Sequence, residues 1–329
     1  MRIAVDAMGG DHAPGHPVDG AVAAARNLGL GIDLIGRTDL IRAELARHPD
    51  ADDLDLRVID APDVIDMAES PAKALRRKPR ASIRVAAEHV AAGGAAALVS
   101  AGHTGASVVA AHAAFGMLPG VDRPALAPTV PTRGGSAVLL DAGATVECKP
   151  SHLLQFAHMG AMYARAGLGV NQPRVGLLSI GEEETKGNDL TREAHQLLKA
   201  SALTFIGNVE ARGIFSGDAD VIVCDGFTGN VALKLSEGLV EMVEDLLSEE
   251  LQSTFSSQMG YLLSRRAYRR FRKRVDYSEF GGAPLLGIAG LCIVGHGRSS
   301  VKAIRNAVAM ASRMASHQLM ERLRDCVRP

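Results

Sequence analysis

Residues 175–189 read V-G-L-L-S-I-G-E-E-E-T-K-G-N-D, and the organisation of the whole chain can be read outward from them. Residues 175–180 form a short aliphatic run bounded by Pro173 and Gly181, the pattern of a buried strand. A polar loop follows. Over 190–200 a helical period returns, with Leu190, Ala194, Leu197 and Leu198 on one face and Asn188 or Asp189 placed as N-cap. In open α/β sheets such loops lie at the carboxyl edge of parallel strands, where ligands bind, and the helix start offers unpaired N–H groups to an anion. Lys186 would add a full positive charge there. The competing reading is a solvated loop whose three glutamates and one lysine face water. The order G-x-x-x-x-K-G inverts the last two residues of the G-x-x-x-x-G-K-[ST] loop, and three adjacent carboxylates repel a triphosphate, so only a smaller anion is supported.

The same unit recurs along the chain. Residues 2–6 read as a strand running into D-A-M-G-G-D (6–11), followed by an alanine-rich helix over 18–28 capped at Gly29. Strands at 32–35 and 56–60 flank a helix at 40–48, which establishes alternating β and α elements and hence a parallel sheet with helices on its faces. Residues 97–100 meet S-A-G-H-T-G-A (100–106) before a helix over 107–115. Residues 137–141 lead to Gly143, and C-K-P-S (148–151) precedes a long helix over 152–166. After a short strand at 203–206, residues 221–224 meet D-G-F-T-G-N (225–230), with a helix from Val231. Residues 291–294 meet G-H-G-R-S-S (295–300), with the last helix from Val301. These glycine loops are expected to gather at one edge of the sheet, which is the expected active site.

The 329 residues and 47% hydrophobic content allow one large core or two closely joined subdomains. Thirty-six basic and 37 acidic residues nearly cancel, so no chain-wide field favours nucleic acid. A local cationic cluster stands out: Lys73, Arg76, Arg77, Lys78, Arg80 and Arg84. It is either a solvated surface or a site for an anionic partner. The chain opens directly into a strand without an apolar leader, and no run approaches a membrane span, which predicts a cytoplasmic protein. Cys148, Cys224, Cys292 and Cys326 are widely spaced, so neither a zinc site nor a disulfide framework is expected, and Cys224 reads as a core residue.

Taken together, D-A-M-G-G-D, S-A-G-H-T-G-A, L-D-A-G-A (140–144), C-K-P (148–150), L-L-Q-F-A (153–157), G-L-L-S-I-G-E-E-E-T-K-G-N (176–188), G-N-V-E (207–210), D-V-I-V-C-D-G-F-T-G-N-V-A-L-K (220–234), G-G-A-P-L-L-G (281–287) and His296-Gly297 resemble the phosphate acyltransferase (PlsX) family of bacterial fatty acid and phospholipid synthesis. The resemblance spans essentially the entire chain. It implies a single Rossmann-like three-layer α/β/α domain over 1–329, related to isocitrate dehydrogenase and phosphotransacetylase. It also implies transfer of a fatty acyl group from acyl carrier protein to inorganic phosphate, in a homodimer, without a cofactor or metal. The acyl phosphate would pass to a membrane glycerol-3-phosphate acyltransferase. His103, Thr145 and Phe280 depart from the family's usual Asn, Asn and Tyr. A neutral imidazole donates one hydrogen bond as Asn does, but it can also titrate.

Phosphate can attack a thioester directly, so the protein must align it and supply donors to the developing oxyanion. Lys186 suits the first task, and Asn188 and Asn230 suit the second unless each is an ordinary helix cap. His296 could donate to phosphate or to the departing thiolate. Asp6, Gly9, Gly10, Asp11, His103, Thr104, Gly105, Asp225, Gly226, Thr228, Gly229, Lys234, Gly297 and Ser299 are the expected substrate and phosphate contacts, with Asp225 orienting donors. An NAD-dependent dehydrogenase is disfavoured, because no G-x-G-x-x-G follows a strand and no aspartate cluster suits a metal-bound hydroxy acid. A non-enzymatic scaffold for lipid enzymes is the third reading.

Residues 239–274 break the strand–loop–helix rhythm and read as a protruding helical segment. Leu239, Met242, Val243, Leu246, Leu247, Leu251, Phe255, Met259, Leu262 and Leu263 recur at helical spacing, with a break expected near Gly260. Arg265, Arg266, Arg269, Arg270, Arg272, Lys273 and Arg274 follow, with Tyr261, Tyr268 and Phe271 among them. This block suits an anionic membrane at the inner face of the cell membrane or an acidic carrier protein, while the first half of the stripe suits a partner subunit.

Overall fold

Alternation along the first strand, β1 (Arg2–Asp6), sets the layers: Ile3 and Val5 join one hydrophobic cluster, while Ala4 joins another on the opposite face. The computed structural model describes residues 1–317. After β1 come α1 (Gly15–Leu28), β2 (Gly31–Gly36), α2 (Thr38–Leu45), β3 (Leu56–Asp60), α3 (Pro71–Arg77), α4 (Ser82–Ala91), β4 (Leu98–Ser100) and α5 (Thr104–Phe115). The chain continues through β5 (Ala125–Leu126), β6 (Thr129–Pro131), β7 (Ser136–Leu140), α6 (Pro150–Leu168), β8 (Arg174–Leu178), α7 (Asp189–Ala200), β9 (Thr204–Val209) and β10 (Val221–Val223). It closes with α8 (Gly226–Ser253), α9 (Phe255–Val275), β11 (Ala283–Leu286), β12 (Cys292–Val294) and α10 (Val301–Ser316).

The strands form two sheets, in the orders β3-β2-β1-β4-β12-β11-β5 and β6-β7-β10-β8-β9. In the first, β3, β2, β1, β4 and β12 are parallel; in the second, β7, β10, β8 and β9 are. The expected α/β architecture with helices on both faces is therefore present. The glycine loops do not, however, leave one sheet edge: they divide between the carboxyl edges of two sheets. Local pattern cannot reveal that division, because β10 inserts between β7 and β8 only through non-local pairing.

On the first sheet, α1 and α10 cover one face with Val18, Val22, Ala307 and Val308, and α4 and α5 cover the other with Ile83, Ala87 and Ala111. The approach of α1 to α10 requires glycine at 20, since a Cβ there would lie 2.5 Å from that of Ile304. On the second sheet, α6 packs Leu153, Phe156 and Tyr163 onto Val138, Val175 and Val221. Its reverse face carries Leu139, Leu178 and Ile222, covered partly by Ala232 and Leu233 at the start of α8. Beyond that start, α8 buries no residue, and α9 buries none at all.

Two boundaries differ by more than three residues from the sequence expectation. The helix expected from Val231 begins at Gly226, because the Asp225 carboxylate caps it by accepting from the Thr228 N–H at 2.9 Å. The break expected near Gly260 lies at Thr254, whose extended backbone (φ −134°, ψ 158°) ends α8 and whose hydroxyl accepts from Ser257 N–H to start α9. Gly260 sits inside continuous helix, where its carbonyl accepts from the Ser264 hydroxyl at 2.7 Å.

Candidate active site

Six loops that follow parallel strands carry the candidate residues, and hydrogen bonds divide them into groups. After β1, β4 and β12, three loops are stitched together at the point where strand order reverses between β1 and β4. Gly9 packs so closely on the β4 loop that a Cβ there would lie 2.7 Å from Gly102 N. Asp11 N–H donates to the Gly297 carbonyl at 2.8 Å, and Gly295 N–H to Ser100 at 2.7 Å. Gly10 needs its positive φ of 106°. Asp6 is buried, with its carboxylate accepting from Ser100 Oγ at 2.8 Å and Met8 N–H at 3.2 Å. Burial pushes its carboxyl above the ordinary range. These bonds make Asp6 an organiser of its own loop.

His103 caps α5: its Nδ1 accepts from Gly105 N–H at 3.1 Å, which leaves Nε2 as the donor of the neutral ring. This is the role an asparagine would play there. Thr104 and Gly105 form the first turn, and Gly105 faces Pro71 at the start of α3. His296 is arranged in the same way, accepting from Arg298 N–H at 3.1 Å while Nε2 lies 3.6 Å from Glu237 on α8. Arg298 pairs with Glu241 at 3.2 Å. Ser299 is buried, and its carbonyl accepts from His16 Nδ1 at 3.1 Å.

The second group follows β7 and β10. Asp141 is fully buried, and its carboxylate accepts from four backbone N–H groups, those of Leu126 (2.7 Å), Gly143 (3.0 Å), Ala144 (3.0 Å) and Thr145 (2.6 Å). Burial nevertheless pushes its carboxyl up to about 6. The turn it organises supports the start of α8. Gly226 N–H donates to the Thr145 carbonyl at 2.9 Å, and a Cβ on Gly229 would lie 1.9 Å from the Asp141 carbonyl. Asn230 sits against Gly143. Asp225 holds Thr228 through both its N–H and its hydroxyl, the latter at 2.7 Å. Lys234 is exposed one turn beyond Asn230.

Lys186 and Asn188 follow β8, the strand adjacent to β10, so their loop and the Asp225 cap leave the same sheet edge side by side. Asn188 is the N-cap of α7: Oδ1 accepts from Thr191 N–H at 2.9 Å, which leaves its amide N–H groups able to donate. Lys186 is exposed and makes no ion pair among the described residues. Sequence reasoning missed the anchor of this loop, Asn208, which donates to the Glu183 carbonyl at 2.8 Å and meets buried His195 at 2.9 Å. It also missed Asp141; an aspartate between the end of a strand and a glycine was the available signal.

Burial pushes the Cys148 and Cys292 thiols up to about 12 and raises the fully buried Cys224 thiol well above its ordinary value, which unfits all three as nucleophiles at neutral pH. Cys326 lies outside the described residues. Among the described residues no cluster of His, Cys, Asp or Glu could hold a metal ion, and no helix is long and apolar enough to cross a membrane. In the basic block, Arg274 is engaged with the Thr132 and Arg133 carbonyls and Arg272 lies 3.3 Å from Glu244. Arg265, Arg266, Arg269, Arg270 and Lys273 are left without ion pairs among the described residues.

The fold is that of the phosphotransacetylases. A phosphotransacetylase from Streptococcus pyogenes superposes with a TM-score of 0.62 at 18% identity, covering 96% of this chain and 94% of that one. A 4-hydroxythreonine-4-phosphate dehydrogenase from Klebsiella pneumoniae shares the fold more distantly, with a TM-score of 0.54 at 14% identity, over 96% of this chain and 99% of that one. Residues 1–322 match the family described as "Fatty acid synthesis protein". The phosphate acyltransferase of Geobacter sp. (strain M21) is 53% identical over 315 residues, 96% of this chain and 89% of that protein. That of Geotalea daltonii is 50% identical over 329 residues, 99% of this chain and 95% of that protein. The chain belongs to this family of phosphate acyltransferases, and it is an enzyme, an acyltransferase.

Proposed function

We propose that the enzyme transfers a fatty acyl group from acyl carrier protein to inorganic phosphate and releases acyl phosphate. The observation that carries this reading is Lys186, an exposed, unpaired cation on a loop that shares a sheet edge with the Asn230 turn. Phosphate held by Lys186 attacks the thioester carbon directly: a C–O bond forms, the C–S bond breaks, and the carrier thiol departs with the electron pair and takes up a proton. The amides of Asn230 and Asn188 serve the oxyanion that develops. His296 and the Gly297 loop face the departing side. All three described cysteines being unfit as nucleophiles disfavours a cysteine-linked acyl-enzyme.

The α8–α9 pair supports two further assignments. Leu235, Leu239, Met242 and Leu246 are each at least half exposed along α8, a stripe suited to a second subunit of a homodimer. On α9 and its approach, Phe255 and Leu263 are 80% and 84% exposed and precede the five unpaired cations, which suits peripheral association with an anionic membrane. That location, on the inner face of the cell membrane, would deliver acyl phosphate to a glycerol-3-phosphate acyltransferase. The test is direct: purified enzyme is mixed with acylated carrier protein, with and without phosphate, and acyl phosphate is trapped as its hydroxamate. Phosphate-dependent hydroxamate matched by free carrier thiol is expected; a wild-type enzyme that releases neither defeats the reading.

A further inference from the structure

The cationic cluster on α3 is used by nothing described above. Lys78 donates to the Val64 carbonyl at 2.7 Å and to Glu69 at 2.5 Å, Arg80 pairs with Asp60 at 2.7 Å, and Arg84 with Glu88 at 2.8 Å. Lys73, Arg76 and Arg77 are different: they are exposed and make no ion pair among the described residues. Their spacing of three and four places them on one face of α3, while Ala74 and Leu75 anchor the helix in the core. A chain of net charge −1 thus presents three exposed cations on one short surface, with Glu69 the carboxylate that Arg77 feels.

Beneath this surface lies a cavity of about 230 Å³ at the β1/β4 switch point. One wall is the 64–67 strap, and the opposite wall is the loops of Gly9, Gly10 and His103. Lys78 ties the strap to the end of α3, and Pro71 at its start abuts Gly105 at the head of α5, so α3 and the cavity rim are one construction. Met67 in the strap is 53% exposed, which brings the cavity to the surface beside α3. Inward, the Asp11–Gly297 bond joins it to the His296 loop, which rests on Glu237 of the helix that carries Asn230.

Resting on the carrier-protein reading above, we infer that Lys73, Arg76 and Arg77 dock the acidic acyl carrier and that its pantetheine arm enters through this cavity. Methylenes of the arm lie along Ile65, Met67 and Ile83. The docking site is thereby separate from the α9 block. The test is a KM-against-kcat split with Lys73→Glu/Arg76→Glu/Arg77→Glu in the full-length enzyme. Its KM for acylated carrier should rise about tenfold or more and lose most of its salt dependence, with kcat retained. With acyl-pantetheine, which lacks the protein, the variant should match wild type. Met67→Trp narrows the entrance and should lower kcat/KM for both donors. An unchanged carrier KM in the triple variant of an active enzyme overturns the docking surface, as does a matching rise caused instead by Arg269→Glu/Arg270→Glu. Wild type that neither binds nor uses acylated carrier removes the donor reading, and this surface with it.

Discussion

Replacing Asp141 with asparagine separates what its buried carboxylate costs from what it organises. Burial raises its carboxyl from 3.8 to about 6 against the pull of four backbone donors. Between these two values the folded chain holds a proton that the unfolded chain has released. Stability contributed by this group therefore falls as pH rises through that window and is level above it. At 1.36 kcal/mol per pH unit, the full difference is about 3 kcal/mol. Asparagine cannot ionise, so the stability of wild type minus that of Asp141→Asn should drop by up to about 3 kcal/mol between pH 4 and pH 7. Urea unfolding at pH 4, 5, 6 and 7 reads this difference. The turn should suffer all the same, because the amide presents N–H groups where Oδ2 accepts from Thr145. Turnover at pH 7.5 should fall several-fold in a variant that is no less stable, with KM for phosphate little changed. A difference that rises with pH would show that the four donors outweigh burial, and parallel curves would show that the carboxyl does not titrate in this range; either refutes the reasoning.

Lys186→Ala should raise the KM for phosphate more than tenfold, the loss of a charge-assisted contact of about 1.5–3 kcal/mol, without moving the unfolding midpoint; initial rates against phosphate concentration check it. Asn230→Ala should lower kcat while leaving carrier binding by calorimetry unchanged, since its donor serves the transition state. His103→Asn should keep activity within about twofold and leave the pH profile unshifted, because an amide oxygen can replace Nδ1 as the cap of α5. Arg269→Glu with Arg270→Glu should reduce sedimentation with anionic vesicles, leave neutral vesicles unaffected, and leave the mass measured by light scattering unchanged; each cation near such a surface is worth about 1 kcal/mol.

The regular elements were legible because each is written in a local period. The strand at 2–6 and the Gly29 cap need only their own neighbours, and the strands before the glycine loops fell within three residues of expectation. Gly260 misled because glycine weakens a helix without ending it, whereas Thr254 ends one by offering an oxygen to Ser257. Asp225 misled in the opposite sense: G-F-T-G reads as a loop until its carboxylate is seen capping a helix. Asn208 stayed hidden because its partners, His195 and Glu183, lie 13 and 25 residues away, whereas Asp141 bonds mainly to the next turn, at Gly143, Ala144 and Thr145, and only its burial and its bond to Leu126 needed the fold.

The glycines of the candidate site, which first suggested close approach of backbone to phosphate, mostly serve the approach of loops to one another. Gly9 is required by Gly102, Gly226 by Thr145, and Gly229 by the Asp141 carbonyl. A Cβ at any of these would collide with protein before it met a ligand. The glycine motifs therefore fix the relative position of the loops, and in the proposed reaction discrimination for phosphate falls to the side chains that those loops present. Among these, Asp6 is already engaged by Ser100 at the end of β4 and Asp225 within its own loop. Lys186, on a loop held from behind by Asn208, keeps its charge exposed at the edge shared with Asn230. A rigid glycine framework with few uncommitted polar groups is the arrangement that positions a weak nucleophile without a covalent intermediate.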